Sequence, residues 1–118
     1  MSNLSVKVLE SYLKETYKKT KDDQGLFMKL VEEIGEVAEL LNKRSGRKAG
    51  DGEITEELAN ELADVIHYAI AIAAVNNIDI EKAIINKDRA AAIKYSHEIN
   101  LEGFMKQQFS EGDYEQNK

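Results

Sequence analysis

The chain has 118 residues, 22 acidic against 16 basic side chains, a formal charge of −6, no Cys and no Pro. That length suits one domain with a real core but not several layers. Without Cys there are no disulfides or thiolate metal sites, and the acidic balance argues against a nucleic-acid polymer, which needs a basic footprint.

The opening lacks an apolar run followed by small residues, so no secretory signal is read. The apolar run from Val65 to Val75 is eleven residues long, too short for a bilayer. The expectation is a cytoplasmic protein with no membrane partner. Apolar residues make up 42% of the chain, and the periodic segments are rich in Ala, Leu, Ile, Glu and Lys, which favours helix over sheet. The fold class expected is all-α.

Leu4 to about Thr20 repeats apolar positions (Leu4, Val8, Tyr12, Leu13) and suits an amphipathic helix. Lys18 to Asp23 is a polar break, in which Asp22 or Asp23 can cap the next helix. That helix runs from about Gln24 to Lys43. Phe27, Leu30, Val31, Ile34, Val37, Ala38 and Leu41 form its expected core stripe, with Lys29, Glu32, Glu33 and Glu36 on the opposite face. Gly35 inside it costs about 1 kcal/mol relative to Ala, which suggests a close backbone approach.

Ser45 to Ile54 holds three Gly and reads as a loop, basic at its start (Lys43, Arg44, Arg47, Lys48) and acidic at its end. Thr55 is the expected N-cap of a third helix, Glu56 to about Asn76. Its core stripe is Leu58, Leu62, Val65, Ile66, Ala69, Ile72 and Ala73. A second face, Glu57, Glu61, Asp64, Tyr68, Ala71 and Val75, starts as acids and turns apolar. Such a helix is buried on several sides, and an oligomer would supply the missing cover. Asn76 and Asn77 break the pattern, and a fourth helix is expected from Ile80 to about Ile99, capped by Asp79. Residues 1–102 are read as the domain and 103–118 as a polar tail.

The chemistry concentrates in two acid pairs, Glu33/Glu36 and Glu61/Asp64, each three residues apart and so on one helical face. Counted from the loop at about 1.5 Å per residue, Glu36 and Glu61 both lie roughly 10 Å from the hairpin end. An antiparallel hairpin therefore sets Glu36 opposite Glu61 and Glu33 opposite Asp64. Four such carboxylates repel unless a proton, a base or a cation intervenes. All-oxygen ligands favour magnesium, manganese or calcium. Magnesium completes its shell with water and phosphates, so the substrate expected is phosphate-bearing. His67 stands three residues after Asp64, as in di-iron bundles, but His97 has no acid at that offset and two such motifs are needed.

Glu32-Glu33-x-x-Glu36, followed after a basic loop by Glu61-x-x-Asp64, resembles the signature of MazG-like nucleotide pyrophosphohydrolases, within the all-α NTP pyrophosphatase superfamily. The likeness runs from about Leu26 to Tyr95 and takes in residues 33–40, residues 61–68, Asn77 to Glu81, and Lys87. It implies a four-helix MazG-like bundle, dimeric or tetrameric, that hydrolyses a nucleoside triphosphate to monophosphate and pyrophosphate. It also implies Mg2+, with Mn2+ as substitute, on Glu33, Glu36, Glu61 and Asp64.

Among the acids of the first motif, Glu33 holds metal or water, and Glu32 or Glu36 serves as general base. Lys29 is placed to touch phosphate, and Tyr68, one turn beyond Asp64, to meet base or sugar. Many relatives carry Asn and Arg in the final helix. Here that stretch reads Lys87 to Tyr95 with Ala91 and Ala92 inside, so Lys87, Lys94 and Tyr95 would take over those contacts. Two other readings remain at this stage: a phosphoribosyl-ATP pyrophosphohydrolase, and a non-catalytic helical oligomer or regulatory protein.

Overall fold

In a computed structural model, residues 3–46 and 51–116 are described. Among them the elements are helices: α1 (Val6–Thr16), α2 (Asp23–Gly46), α3 (Asp51–Val75), α4 (Ile80–Lys94) and α5 (Leu101–Gln116). The all-α expectation is met with five helices in place of four. The chain divides into two compact units, Met1–Ile80 and Glu81–Lys118.

In the first unit, α3 packs against both α1 and α2. Ser5 caps α1, its hydroxyl accepting from Val8 N–H at 3.0 Å. Asp22 does the same for α2, accepting from Gly25 N–H at 2.9 Å, so it is Asp22 that caps and Asp23 that opens the helix. Leu13, fully buried, joins Leu26, Ile70, Ala71 and Ala74 in one core cluster. The Ala residues let α1 approach α3 closely. Asn77 ends α3 at φ 57°, and Ile78 N–H reaches back to Ala73 C=O at 3.0 Å, the left-handed cap that Asn tolerates. Glu10 on α1 then accepts from Ile80 N–H at 3.0 Å, satisfying a free donor at the head of α4.

Three sequence expectations change here. Thr55 is not the N-cap: α3 starts at Asp51, one turn earlier, and α2 continues to Gly46. What is left of the expected loop, residues 47–50 with Arg47 and Lys48, lies outside the described residues. The inward stripes also differ. On α2, Leu26 and Leu40 are buried, whereas Phe27, Val31, Ile34 and Leu41 are exposed, Phe27 by 54%. On α3, Ala73 is buried as expected, as are Ile70, Ala71 and Ala74 from outside the stripe, whereas Leu62 and Ile66 are exposed. Apolar periodicity records a face that leaves water, not which neighbour covers it. Lastly, Gly35 meets no close neighbour: a Cβ there would stand in open space.

The stretch Ile54–Val75 is, by length and composition, apolar enough to cross a membrane, twice as long as the run read from sequence. It carries Glu61 and Asp64 and packs against α1 and α2.

In the second unit, α4 stops at Lys94 rather than Ile99. Ser96 turns left-handed at φ 55° and His97 N–H bonds to Ala92 C=O at 2.9 Å. Where composition suggested a polar tail, α5 forms. Its first turn is tied down by Asp88, accepting from Leu101 N–H at 2.7 Å, and by Asn100, accepting from Gly103 N–H at 2.8 Å. Arg89 donates from Nε and Nη2 to Glu102 Oε1 at 2.9 and 2.8 Å.

Candidate metal centre

The pair α2–α3 is antiparallel: Leu26 shares a cluster with Ile70 and Ala71, while Glu33, seven residues further along α2, meets Glu61 on α3. One carboxylate oxygen each from Glu33, Glu61 and Asp64 lies within 4.8 Å of the others. Glu33 and Glu61 are half-buried and Asp64 is exposed at the rim. The register expected from sequence set Glu36 against Glu61 and Glu33 against Asp64. In the structure Glu33 reaches Glu61 and Asp64 together, and Glu36 lies beside Glu61.

The electrostatics of this group are unusual. The Glu61 carboxyl is pushed up from 4.5 to about 8, first by hydrogen bonding to the carboxyls of Glu33 and Glu36, then by burial, then by their negative charge. Glu33 Oε2 and Glu61 Oε2 are sealed from solvent and no N–H or hydroxyl among the described residues reaches them, so the hydrogen bond open to them is one through a proton shared between the carboxyls. Buried carboxylate oxygens without a donor need a shared proton or a cation. Three converging carboxylates with no nitrogen or sulfur among them fit a hard divalent ion such as Mg2+ or Mn2+.

The other residues singled out from sequence divide by unit. Lys29 Nζ stands 3.6 Å from Glu32 Oε2 on the exposed side of α2. Lys29 also lines a hollow of about 280 Å³ with Tyr17, Leu26 and Tyr68. Tyr68 is one turn past Asp64 and Lys29 one turn before Glu33, so the hollow opens about 6 Å along the helix pair from the acids. Tyr17 was not anticipated. It caps the end of α1, and its four-residue spacing from Leu13 and Leu9, which pack in the same cluster, was the signal that could have found it. Lys87, Lys94 and Tyr95 belong to the second unit and are exposed. There Lys94 Nζ sits 5.4 Å from the centroid of the Tyr95 ring.

A profile of the MazG nucleotide pyrophosphohydrolase domain matches residues 21–89, more than half the chain. The chain belongs to that family. The MazG match covers α2, α3 and most of α4, including all four acids and Lys87, and leaves out Tyr17, Lys94 and Tyr95. Two mammalian proteins are similar over 68 residues: dCTP pyrophosphatase 1 of Rattus norvegicus and of Mus musculus. Each is 37% identical, across 54% of this chain and 40% of its own length. The chain thus spans about two fifths of the curated relatives it matches. Among solved structures, iMazG from Vibrio DAT 722 superposes with a TM-score of 0.61 at 29% identity, over 78% of this chain and 98% of that one.

Proposed function

We propose that this MazG-family chain is a magnesium-dependent nucleoside triphosphate pyrophosphohydrolase, cleaving between the α- and β-phosphoryl groups to give a monophosphate and pyrophosphate. The observation that carries the reading is the meeting of Glu33, Glu61 and Asp64 oxygens within 4.8 Å, two of these residues having a buried oxygen with no donor. A bound divalent ion supplies charge neutralisation for the substrate's phosphate oxygens. Glu33, Glu61 and Asp64 would hold it, leaving the remaining positions to phosphate and water.

Glu36, beside Glu61 but outside the triad, is placed to take the proton of the attacking water. Glu32, the other acid considered for that role, pairs instead with Lys29. Lys29 faces the hollow and offers its ammonium to phosphate, while Tyr68 offers a ring to the nucleoside. Lys87, Lys94 and Tyr95 remain candidates for further phosphate and sugar contacts. The name of the mammalian relatives puts dCTP first among substrates to try.

A second copy of the chain is part of this reading. Phe27, Val31, Ile34 and Leu41 each follow by one position a residue that faces inward on α2. Leu62 and Ile66 do so on α3. In antiparallel helices that step turns both stripes to the same side of the pair, which gives one continuous apolar face. A cytoplasmic setting belongs to the same proposal.

The test is pyrophosphate release from a panel of ribo- and deoxyribonucleoside triphosphates, with Mg2+, Mn2+ or EDTA, alongside Glu61→Gln. Release that needs the metal and fails in the variant is the expected result. No release from any nucleotide under either metal would refute the enzyme reading and favour a regulatory protein that keeps the fold.

A further inference from the structure

His67 does not line the hollow beside the acids, yet it touches two residues that do. Tyr17 Oη is 2.7 Å from His67 Nε2, and the two rings meet edge to face at 5.8 Å and 81°. The Tyr68 ring meets the same imidazole at 4.8 Å and 72°. Tyr17 and Tyr68 both wall the hollow, which Lys29 lines with them.

We infer that His67 is a positioning residue for substrate: it locks the Tyr17 and Tyr68 rings as walls of the hollow, so that the ring-bearing half of a nucleotide meets a preformed surface. The inference rests on the pyrophosphohydrolase reading of the neighbouring acids. Tyr17 needs such a lock, because it is the C-cap of α1 (φ −103°, ψ 14°) and has left the regular helix. Burial, then the charges of Tyr68 and Tyr12, raise the Tyr17 pKa, so the phenol keeps its proton. With the imidazole proton on Nδ1, the phenol donates to Nε2. The bond ties the end of α1 to the middle of α3, fifty residues away. Tyr68 needs no separate partner, since the imidazole packs edge-on against its ring. Walls already ordered spare the ligand the cost of freezing them, commonly about 0.5–1.5 kcal/mol per mobile side chain, or roughly 3- to 10-fold in affinity.

The experiment is calorimetric binding of two probes with Mg2+: an α,β-imido analogue of dCTP, and inorganic pyrophosphate, which has no ring. The proteins are wild type, His67→Leu, His67→Gln, Tyr17→Phe and the His67→Leu/Tyr17→Phe double variant. His67→Leu and Tyr17→Phe should each weaken the nucleotide analogue by about 3- to 10-fold, and the double variant should lose no more than either. Pyrophosphate affinity should stay at the wild-type value. His67→Gln, whose amide can still bond the phenol, should recover most of the loss. With hydrolysis as readout, the change should fall on KM and spare kcat. Unchanged analogue binding in His67→Leu overturns the inference, and so does an equal loss for pyrophosphate, which would mark a merely structural role. If the wild type binds neither probe, the pyrophosphohydrolase reading itself fails and takes this inference with it.

Discussion

Glu33 and Glu61 face each other across α2 and α3, each with one carboxylate oxygen closed off from water and without a hydrogen-bond donor among the described residues. Without a cation such a pair must share a proton, and the Glu61 carboxyl is accordingly pushed up to about 8. The arrangement favours a guest with positive charge over the empty state. A chain selected only for stability would place apolar residues there.

Glu61→Gln should separate these two demands. The amide removes the like charge, so in EDTA at pH 8.5 the variant should melt at a higher temperature than wild type. It should also lose a metal ligand, and pyrophosphate release should fall by more than the roughly 10–100-fold that outer-shell partners of a metal cost. Scanning calorimetry and a pyrophosphate assay check both halves. A variant that melts lower in EDTA yet keeps full activity would contradict the assignment.

The same shift fixes a pH dependence. The folded chain holds the Glu61 proton to about pH 8, whereas the unfolded chain releases it near 4.5. Between those values the native state binds more protons, so its stability without metal falls as pH rises and levels off above about 8. The stabilising contribution is thus full below 4.5 and gone above 8. Mg2+ must displace that proton. Its affinity should rise with pH by up to about tenfold per unit below pH 8, then flatten. Titration calorimetry in buffers of different ionisation enthalpy should register one proton released per ion at pH 7. Glu61→Gln should show neither slope.

The exposed apolar face predicts a concentration-dependent oligomer. Val31→Asp and Ile66→Asp place charges on α2 and α3, at positions 46% and 53% exposed in the single chain. Each should therefore leave the isolated fold largely intact while dispersing the assembly. Light scattering coupled to gel filtration should give a monomer mass for both and a multiple of it for wild type.

Leu13 tests the core from the other side. It is fully buried between α1 and α3. Leu13→Ala should cost about 2–5 kcal/mol, the range for a buried leucine cut to alanine, read from the midpoint of urea unfolding. The same variant should loosen the end of α1, and with it Tyr17.

Much of this was legible in the sequence, and what was not has physical reasons. The acids at i and i+3 on two helices joined by a loop announced a carboxylate group, because helical spacing translates directly into a shared face. The expected neighbours, Glu36 beside Glu61 and Glu33 beside Asp64, are both found; the further approach of Glu33 to Glu61 was not legible. Glu33 reaches both Glu61 and Asp64 because side-chain length and helix rotation decide which oxygens converge. The helix α5 was missed because its start is satisfied from outside it, by Asp88 and Arg89, thirteen residues upstream of their partners. The contact of Tyr17 with His67 escaped for a like reason: it spans fifty residues and has no period. Phe27, Val31, Ile34, Leu41, Leu62 and Ile66 were read as inward but are exposed, while Ala73 of the same stripes is buried, since a hydrophobic pattern does not say whether its cover comes from the same chain.

Gly35 turns that last point into a measurement. It sits inside α2 with no neighbour within 4 Å of where a Cβ would be. Glycine in a helix interior costs about 0.5–1 kcal/mol against alanine, through backbone entropy. If the space is open in solution, Gly35→Ala should stabilise the protein by that amount, seen as a higher urea midpoint at unchanged m-value. The position directly follows Ile34 on the exposed apolar stripe. The gain should therefore be the same at dilute and at high protein concentration if the assembly leaves Gly35 clear. A gain in the dilute protein that turns to a loss on concentration would place the partner copy's backbone against Gly35. That would locate the edge of the interface to a single residue.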